Sequence, residues 1–339
     1  MGGITRYALQ RLLLTIPMLL ILLTLVFLIL RVMPGGPAEA LLGGRNVSKE
    51  QLAAVTHKYG LDRPLYIQYG DYLNGMIHGN FGISTLTEKP VLSELFIRFP
   101  ATLELAFFGM LFALIFGFGS GMIAAVHVDR PIDHTIRIFH IGSFAMPLFW
   151  LGLMLQVIFA VKLGWLPAAT RIGGRIAFTF HATTHFYLLD AILSGNGKVI
   201  ADVAKHLILP SVTLGFAQAG FLGRITRASM IEVLDADYIR TARAKGVGEK
   251  VVVMVHALRN ALIPIVTVFG LQFAILMGGA VLTETIFSWP GVAQFLVRSI
   301  ESRDFPAIQG SVIFIALFIS VINLIVDLLY SVIDPQVRY

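Results

Sequence analysis

Four stretches of the 339-residue sequence carry residue types that do chemistry at informative spacings. His181 and His185 in HATTH stand at i, i+4, the spacing that lets two imidazoles share a metal from one helix face. Ala182 occupies the place of the glutamate in H-E-x-x-H, and the threonines and phenylalanines around it form helix poorly, so the pair reads as two loop histidines. Gly195-Asn196-Gly197-Lys198 is the nearest approach to a phosphate loop. Val199 stands where Ser or Thr would hold magnesium, and the first glycine is missing, so the chain has no G-x-x-x-x-G-K-[ST] motif with which to hydrolyse ATP. Glu104, Glu284 and Asp327 are carboxylates near the ends of apolar stretches. A charge at the centre of a membrane helix costs about 2.5 to 3.5 kcal/mol, and snorkelling or water lowers that cost near the ends. Asp327 is expected to meet Arg224 or Arg227 in a structural ion pair, with a proton relay as the alternative. The fourth stretch is Tyr238 to Asn260, YIRTARAKGVGEKVVVMVHALRN, which sets Arg240, Arg243, Lys245, Lys250 and Arg259 in an otherwise apolar chain. No cysteine is present, which excludes disulfides and thiol chemistry, and no nucleophile, base or metal set emerges. A non-catalytic chain is expected.

These residues need elements to position them, and the composition says which kind. Hydrophobic residues make up 56% and charged residues 14%, with a mean hydropathy of +0.79, against about 25% charged in ordinary globular domains. A membrane helix needs about 20 mostly apolar residues. Six stretches meet or approach that length: Leu12 to Leu30, Leu105 to Val126, Ile138 to Val161, Leu207 to Gly223, Ala261 to Thr283 and Phe305 to Val326. Pro17, Pro147, Pro210 and Pro264 lie in or at the ends of these spans, where neighbouring helices can satisfy the freed carbonyls. Gly117 and Gly121 form a G-x-x-x-G that permits close helix contact. A cleaved signal peptide is the alternative for the first span, but its 19-residue apolar run exceeds the 7 to 15 of such segments.

Positive charge orients the spans. Arg6, Arg11, Arg130, Arg137, Arg338 and the cluster from Arg224 to Arg259 fall on one side. Opposite them, Arg298 and Arg303 are offset by Glu301 and Asp304. Both termini and the basic stretch are therefore expected in the cytoplasm. Two long segments, 33–101 and 162–206, are left outside. The first begins PGGPAEALLGG, a turn-rich exit, and then shows Ser48 as a helix cap, Leu52, Val55 and Tyr59 at helical spacing, and Gly60 as a stop. An ordered extracytoplasmic segment is expected there.

The basic stretch divides into two helical pieces, Asp237 to Lys245 and Glu249 to Arg259, about a Gly246-Val247-Gly248 turn that permits positive φ. In the second piece Val251, Val255, Leu258 and Leu262 follow helical spacing. Ala242 and Gly246 would admit another surface close to the backbone. A pair of helices joined to spans on both sides suits docking of a partner; an amphipathic loop on anionic lipid is the alternative, and physics alone does not separate the two.

The stretch resembles the cytoplasmic loop of permease subunits of binding-protein-dependent ABC importers, with its pattern E-A-A, three residues, Gly, nine residues, I-x-L-P. Aligned on Gly246, the first three positions are Arg240, Thr241 and Ala242, and the last four are His256, Ala257, Leu258 and Arg259. Ala242, Gly246 and Leu258 fit, and Arg240 and Thr241 depart. DYIRTARAKG with HALRNALIP is similar to the version in the B-type dipeptide and oligopeptide permeases, as are YGLDRPLYIQY, GNFGIS, RFPATLEL, MPLFWLG, LTETIFSWPG and NLIVDLLY along the chain.

The resemblance implies an all-α integral membrane protein with the six-helix type I ABC importer permease fold. It divides into an N-terminal helix plus extracytoplasmic segment, residues 1–100, and a five-helix core, residues 101–339, whose coupling loop covers about 231–260. It further implies a second six-helix permease, an extracytoplasmic substrate-binding protein and two ATPase subunits that bind ATP and magnesium, with no cofactor in this chain and no nucleic-acid partner. Arg240, Thr241, Ala242, Gly246, His256, Leu258 and Arg259 would couple to the ATPases, in a bacterial or archaeal cytoplasmic (inner) membrane. Peptides are the expected cargo; nickel, glutathione or oligosaccharide is the alternative within the family. An ion-coupled secondary transporter using Asp327 and Glu104 is the alternative outside it, disfavoured because no internal repeat or midplane charge cluster is visible.

Overall fold

The computed structural model describes residues 3–32, 38–39, 48–58 and 60–333, and side chains except those of 3–12, 32, 267, 274 and 327–333. Most of the turn-rich exit, Tyr59, Arg338 and the side chains of Arg6, Arg11 and Asp327 lie outside the described residues.

The described residues are helical, apart from turns and one isolated bridge between Ile83 and Pro90. The helices of seven residues or more are α1 (Gly3–Val32), α2 (Lys49–Lys58), α3 (Leu65–Ile77), α4 (Val91–Val126), α5 (Pro131–Ala145), α6 (Leu148–Lys162), α7 (Tyr187–Leu193), α8 (Gly197–Leu234) and α9 (Asp237–Ala244). They continue with α10, which runs from Glu249–Val251 through a π-helical stretch, Val252–Ala257, into Leu258–Ile286, then α11 (Val292–Glu301) and α12 (Phe305–Ile333). Among the described residues five helices are long and apolar enough to cross a bilayer, or six if α5 and α6 count as one bent span.

That bent span corrects the sequence reading. Ile138 to Val161 was expected as a continuous helix, but the chain turns by 104° between α5 and α6. Pro147 pushes the residue before it out of the helical region: Met146 is extended, with ψ 125°. Pro17, Pro210 and Pro264 remain inside continuous helices, so position and not proline content decides the break. Two spans also run longer than their apolar cores, α4 beginning at Val91 and α8 covering 38 residues.

Contacts divide the chain into two units, residues 1–101 with 290–324, and residues 102–289 with 325–338. Residues 290–324 thus group with the N-terminal part. In the first unit Val26 and Leu30 of α1 pack with Phe305 and Ile308 of α12, and Val91 and Leu95 of α4 pack with Phe295 of α11. Asp304, fully buried, accepts from Ser84 Oγ (2.5 Å), the Leu86 amide (3.1 Å) and the Ala307 amide (3.2 Å), so one carboxylate both caps α12 and holds the 84–87 turn. Ser48 and Gln51 exchange hydrogen bonds at the start of α2, a capping box, and Gly60 takes φ +62° where a stop was expected.

The second unit is organised on α8. Hydrophobic burial drives helix association weakly in lipid, so close backbone approach and interhelical hydrogen bonds must do more of the work. The sequence of α8 supplies that approach: a Cβ on Gly215 would lie 2.1 Å from the Gly109 carbonyl oxygen of α4. The G-x-x-x-G glycines of α4 make the reciprocal contact. A Cβ on Gly117 would meet the Ala219 oxygen at 2.5 Å, and one on Gly121 the Gly223 oxygen at 2.5 Å. On another face of α8, Gly223 leaves room for the ring of His140 from α5, whose Nε2 lies 2.8 Å from Ser120 Oγ.

Candidate functional site

The basic stretch is a short helix, a turn and the start of a long helix. Ile239 of α9 is fully buried in a cluster with Leu222, Met230, Val252, Val253, Ala257, Ala261 and Ile265, against which Ala242, Val247 and Leu258 also pack. α9 ends because Gly246 takes φ +77°, which lets the Gly246 and Val247 amides close back onto the Arg243 and Ala242 carbonyls (3.0 and 3.2 Å). Asn260 donates to the Tyr238 hydroxyl (2.7 Å), tying the second piece to the first. The loop is therefore fastened to the long helices from below while its other face stays open.

On that open face stand Arg240, Thr241, Arg243, Lys245, Gly246, His256 and Arg259, all exposed. Arg243 makes a two-pronged pair with Glu249 (2.7 and 3.1 Å), and those hydrogen bonds raise its guanidinium above the ordinary value, so the charge persists at every accessible pH. Among the described residues Arg240 pairs with Asp237 alone, at 3.4 Å. Nothing lies within 4 Å of a Cβ built on Gly246.

The structure thus separates the seven residues picked out by the sequence. Five of them, Arg240, Thr241, Gly246, His256 and Arg259, are presented outward. Ala242 and Leu258 are half-buried, pack against the chain's own core and seat the loop. The expected stripe on the second piece also shifts: Val251, Val255 and Leu262 are exposed, and Val252, Val253, Ala257 and Ala261 are buried. The π-helical stretch Val252–Ala257 inserts an extra residue per turn, which rotates the face that a regular 3.6 period would bury.

Several buried charges are paired within the second unit. Arg227 holds Asp133 of α5 with two bonds, 2.6 and 2.8 Å, and the Asp129 amide adds a third at 3.0 Å. Sequence reasoning missed Asp133, which lies outside the apolar core of its span; the side chain of Asp327, the partner expected for Arg224 or Arg227, lies outside the described residues. Glu104 accepts from Arg171 (2.5 Å) and from the Leu188 amide (2.8 Å), while Arg171 stacks on Tyr187 at 3.8 Å. This pair pins the 164–193 segment to α4. Thr102 donates to Glu284 at 2.6 Å.

The remaining candidates are structural. His181 to His185 is not helical, and His185 has φ +65°. Among the described residues no three His, Cys, Asp or Glu side chains are placed to hold a metal. Asn196 of the glycine-lysine run caps α8 through the Lys198 amide at 3.1 Å.

Comparison with known proteins gives this architecture a family. Residues 117–339 match the model for the binding-protein-dependent transport system inner membrane component, and residues 4–106 match the model for the N-terminal part of such membrane components. The di/tripeptide transport system permease protein DppB of Pseudomonas aeruginosa is 43% identical over 97% of this chain and 98% of its own length. The dipeptide transport system permease protein DppB of Haemophilus influenzae is 45% identical over 98% and 99%. The glutathione transport system permease protein GsiC of Escherichia coli is 41% identical, also over 98% and 99%. With both models matched over most of its length and these helices to cross the bilayer, the chain belongs to the family of inner membrane components of binding-protein-dependent transport systems, the non-catalytic, multi-pass permease subunits of ABC importers.

Proposed function

We propose that this permease carries dipeptides or short oligopeptides, and that the loop 238–260 receives the movement of ATPase subunits. The observation that carries the coupling assignment is the loop's construction: an open face of Arg240, Thr241, Arg243, Lys245 and Gly246 rides on a floor of Ile239, Ala242 and Val247 packed onto α8 and α10. A push on the open face reaches two spans through a rigid core, whereas a lipid-binding loop has no need of such a floor. ATP and magnesium would be bound by two ATPase subunits. A second permease completes the path, and an extracytoplasmic binding protein delivers cargo. Both termini and the loop face the cytoplasm, a placement supported by the arginine distribution.

Peptide cargo is supported by relatives named for di- and tripeptides at 43 to 45% identity. Glutathione, itself a peptide, is the second reading, because a glutathione permease matches over the same length. An ion-coupled transporter loses its basis, since Glu104 is held by Arg171 and the family is binding-protein dependent.

The test is to tag the chain, purify it gently from its native membrane and identify what accompanies it. Recovery of P-loop ATPases with a second permease, and peptide uptake after reconstitution with the cognate binding protein, is the expected result. A chain that purifies alone and moves solute under a proton gradient overturns the reading.

A further inference from the structure

Arg224 stands apart from the paired arginines of the second unit. It lies ten residues before the end of α8, one turn from Arg227, yet Arg227 is spent on Asp133. Among the described residues Arg224 has no carboxylate within ion-pair distance. Its guanidinium instead lies 5.2 Å from the ring of Phe221, on the preceding turn, and 5.7 Å from the ring of Phe144 on α5. Helical side chains lean toward the N-terminus, so this cation points toward the middle of α8 and not along the shorter route to the helix end.

The surroundings say what it faces. Along one stripe of α8, at helical spacing, run Ala217 and Phe221, half-buried, then Arg224, Ala228 and Glu232, exposed. A lipid-facing stripe would carry branched aliphatics along its length. A stripe of small, aromatic and charged residues faces water or protein. Phe144 and Phe221 give the cation an apolar frame in which a planar carboxylate can meet it with a two-pronged hydrogen bond.

We infer that Arg224, framed by Phe144 and Phe221, is a transit site for the free carboxylate of the peptide as it passes through the permease. The inference rests on the peptide reading above. Cation–π contact alone holds the guanidinium weakly, about 0.5 to 2 kcal/mol, so the site can bind a carboxylate and release it, as passage requires.

The cysteine-free sequence allows a direct test in the whole complex, with the unsubstituted complex as control for cysteines of the other subunits. Arg224→Cys should lower dipeptide uptake about tenfold, the loss expected for one charged hydrogen bond. Treatment with aminoethyl methanethiosulfonate, which restores a positive charge, should recover uptake, and the negatively charged sulfonatoethyl reagent should not. Labelling should slow when dipeptide-loaded binding protein and ATP are turning over. Uptake equal to that of the unsubstituted complex, no reaction with either hydrophilic reagent, or labelling indifferent to peptide would each overturn the inference. Loss of the second permease from the purified Arg224→Cys complex would assign the cation to a subunit contact and overturn it too. If the unsubstituted complex imports no peptide, the peptide reading falls and the inference with it, a result distinct from failure of the variant alone.

Discussion

Two arginines in the second unit grip carboxylates in nearly the same way, and their surroundings make them different devices. Arg227 meets Asp133 at 2.6 and 2.8 Å with the carboxylate wholly buried; Arg243 meets Glu249 at 2.7 and 3.1 Å with about half of each side chain in solvent. Burial removes water as a substitute partner, so the first pair cannot lose one member without stranding the other. Water screens the second pair and competes for both groups, so it costs little to open and leaves the arginine available to another protein. Identical geometry thus fastens α5 to α8 in one place and shapes a docking face in the other.

The sharpest way to break this comparison is to remove one carboxylate from each pair. Asp133→Ala leaves the largely buried Arg227 without its carboxylate, and should destabilise the permease by about 3 kcal/mol, read as a fall in membrane abundance and in the melting temperature of the detergent-solubilised protein. Wild-type abundance and melting would show that water reaches the site and that the pair is not structural. Next in size is Gly223→Val, whose Cβ would stand 2.2 Å from His140 Nε2. Forcing α5 away should cost about 1 to 3 kcal/mol by the same melting assay, and an unchanged melt would refute close packing of α5 on α8.

Smaller effects are expected on the loop. Gly246→Arg puts a side chain at φ +77° in open space, a backbone cost of about 1 to 2 kcal/mol, so the protein should still insert at near-normal levels. Transport should nevertheless be blocked, because the new side chain projects from the docking face; normal uptake at equal membrane abundance would count against that role. Smallest is Glu249→Ala, which should change stability by under about 1 kcal/mol, and less still as salt rises. A large loss that is insensitive to salt would mean that the loop pair is as structural as the buried one.

The residues themselves explain how much of this was legible beforehand. Apolar length located the spans. The glycine turn located the break in the loop, and G-x-x-x-G announced a contact that the Ala219 and Gly223 carbonyls now occupy. Each of these signals is local, because backbone freedom, helix period and side-chain size act within a few residues. What only the tertiary structure decided is non-local. Asp133 and Arg227 are 94 residues apart, Glu104 and Arg171 67, and no spacing rule connects either pair. The inward turn of Ala242 depends on a core drawn from three helices, and the π-helical stretch that exposes Val251 and Val255 keeps a composition indistinguishable from regular helix. Sequence by itself determined a helical membrane protein with a basic loop, since those properties follow from composition and local backbone chemistry; that it is a permease followed from its resemblance to a family. Which charges are consumed in the fold and which remain for a partner or a substrate was decided only by packing, because burial is what separates the two.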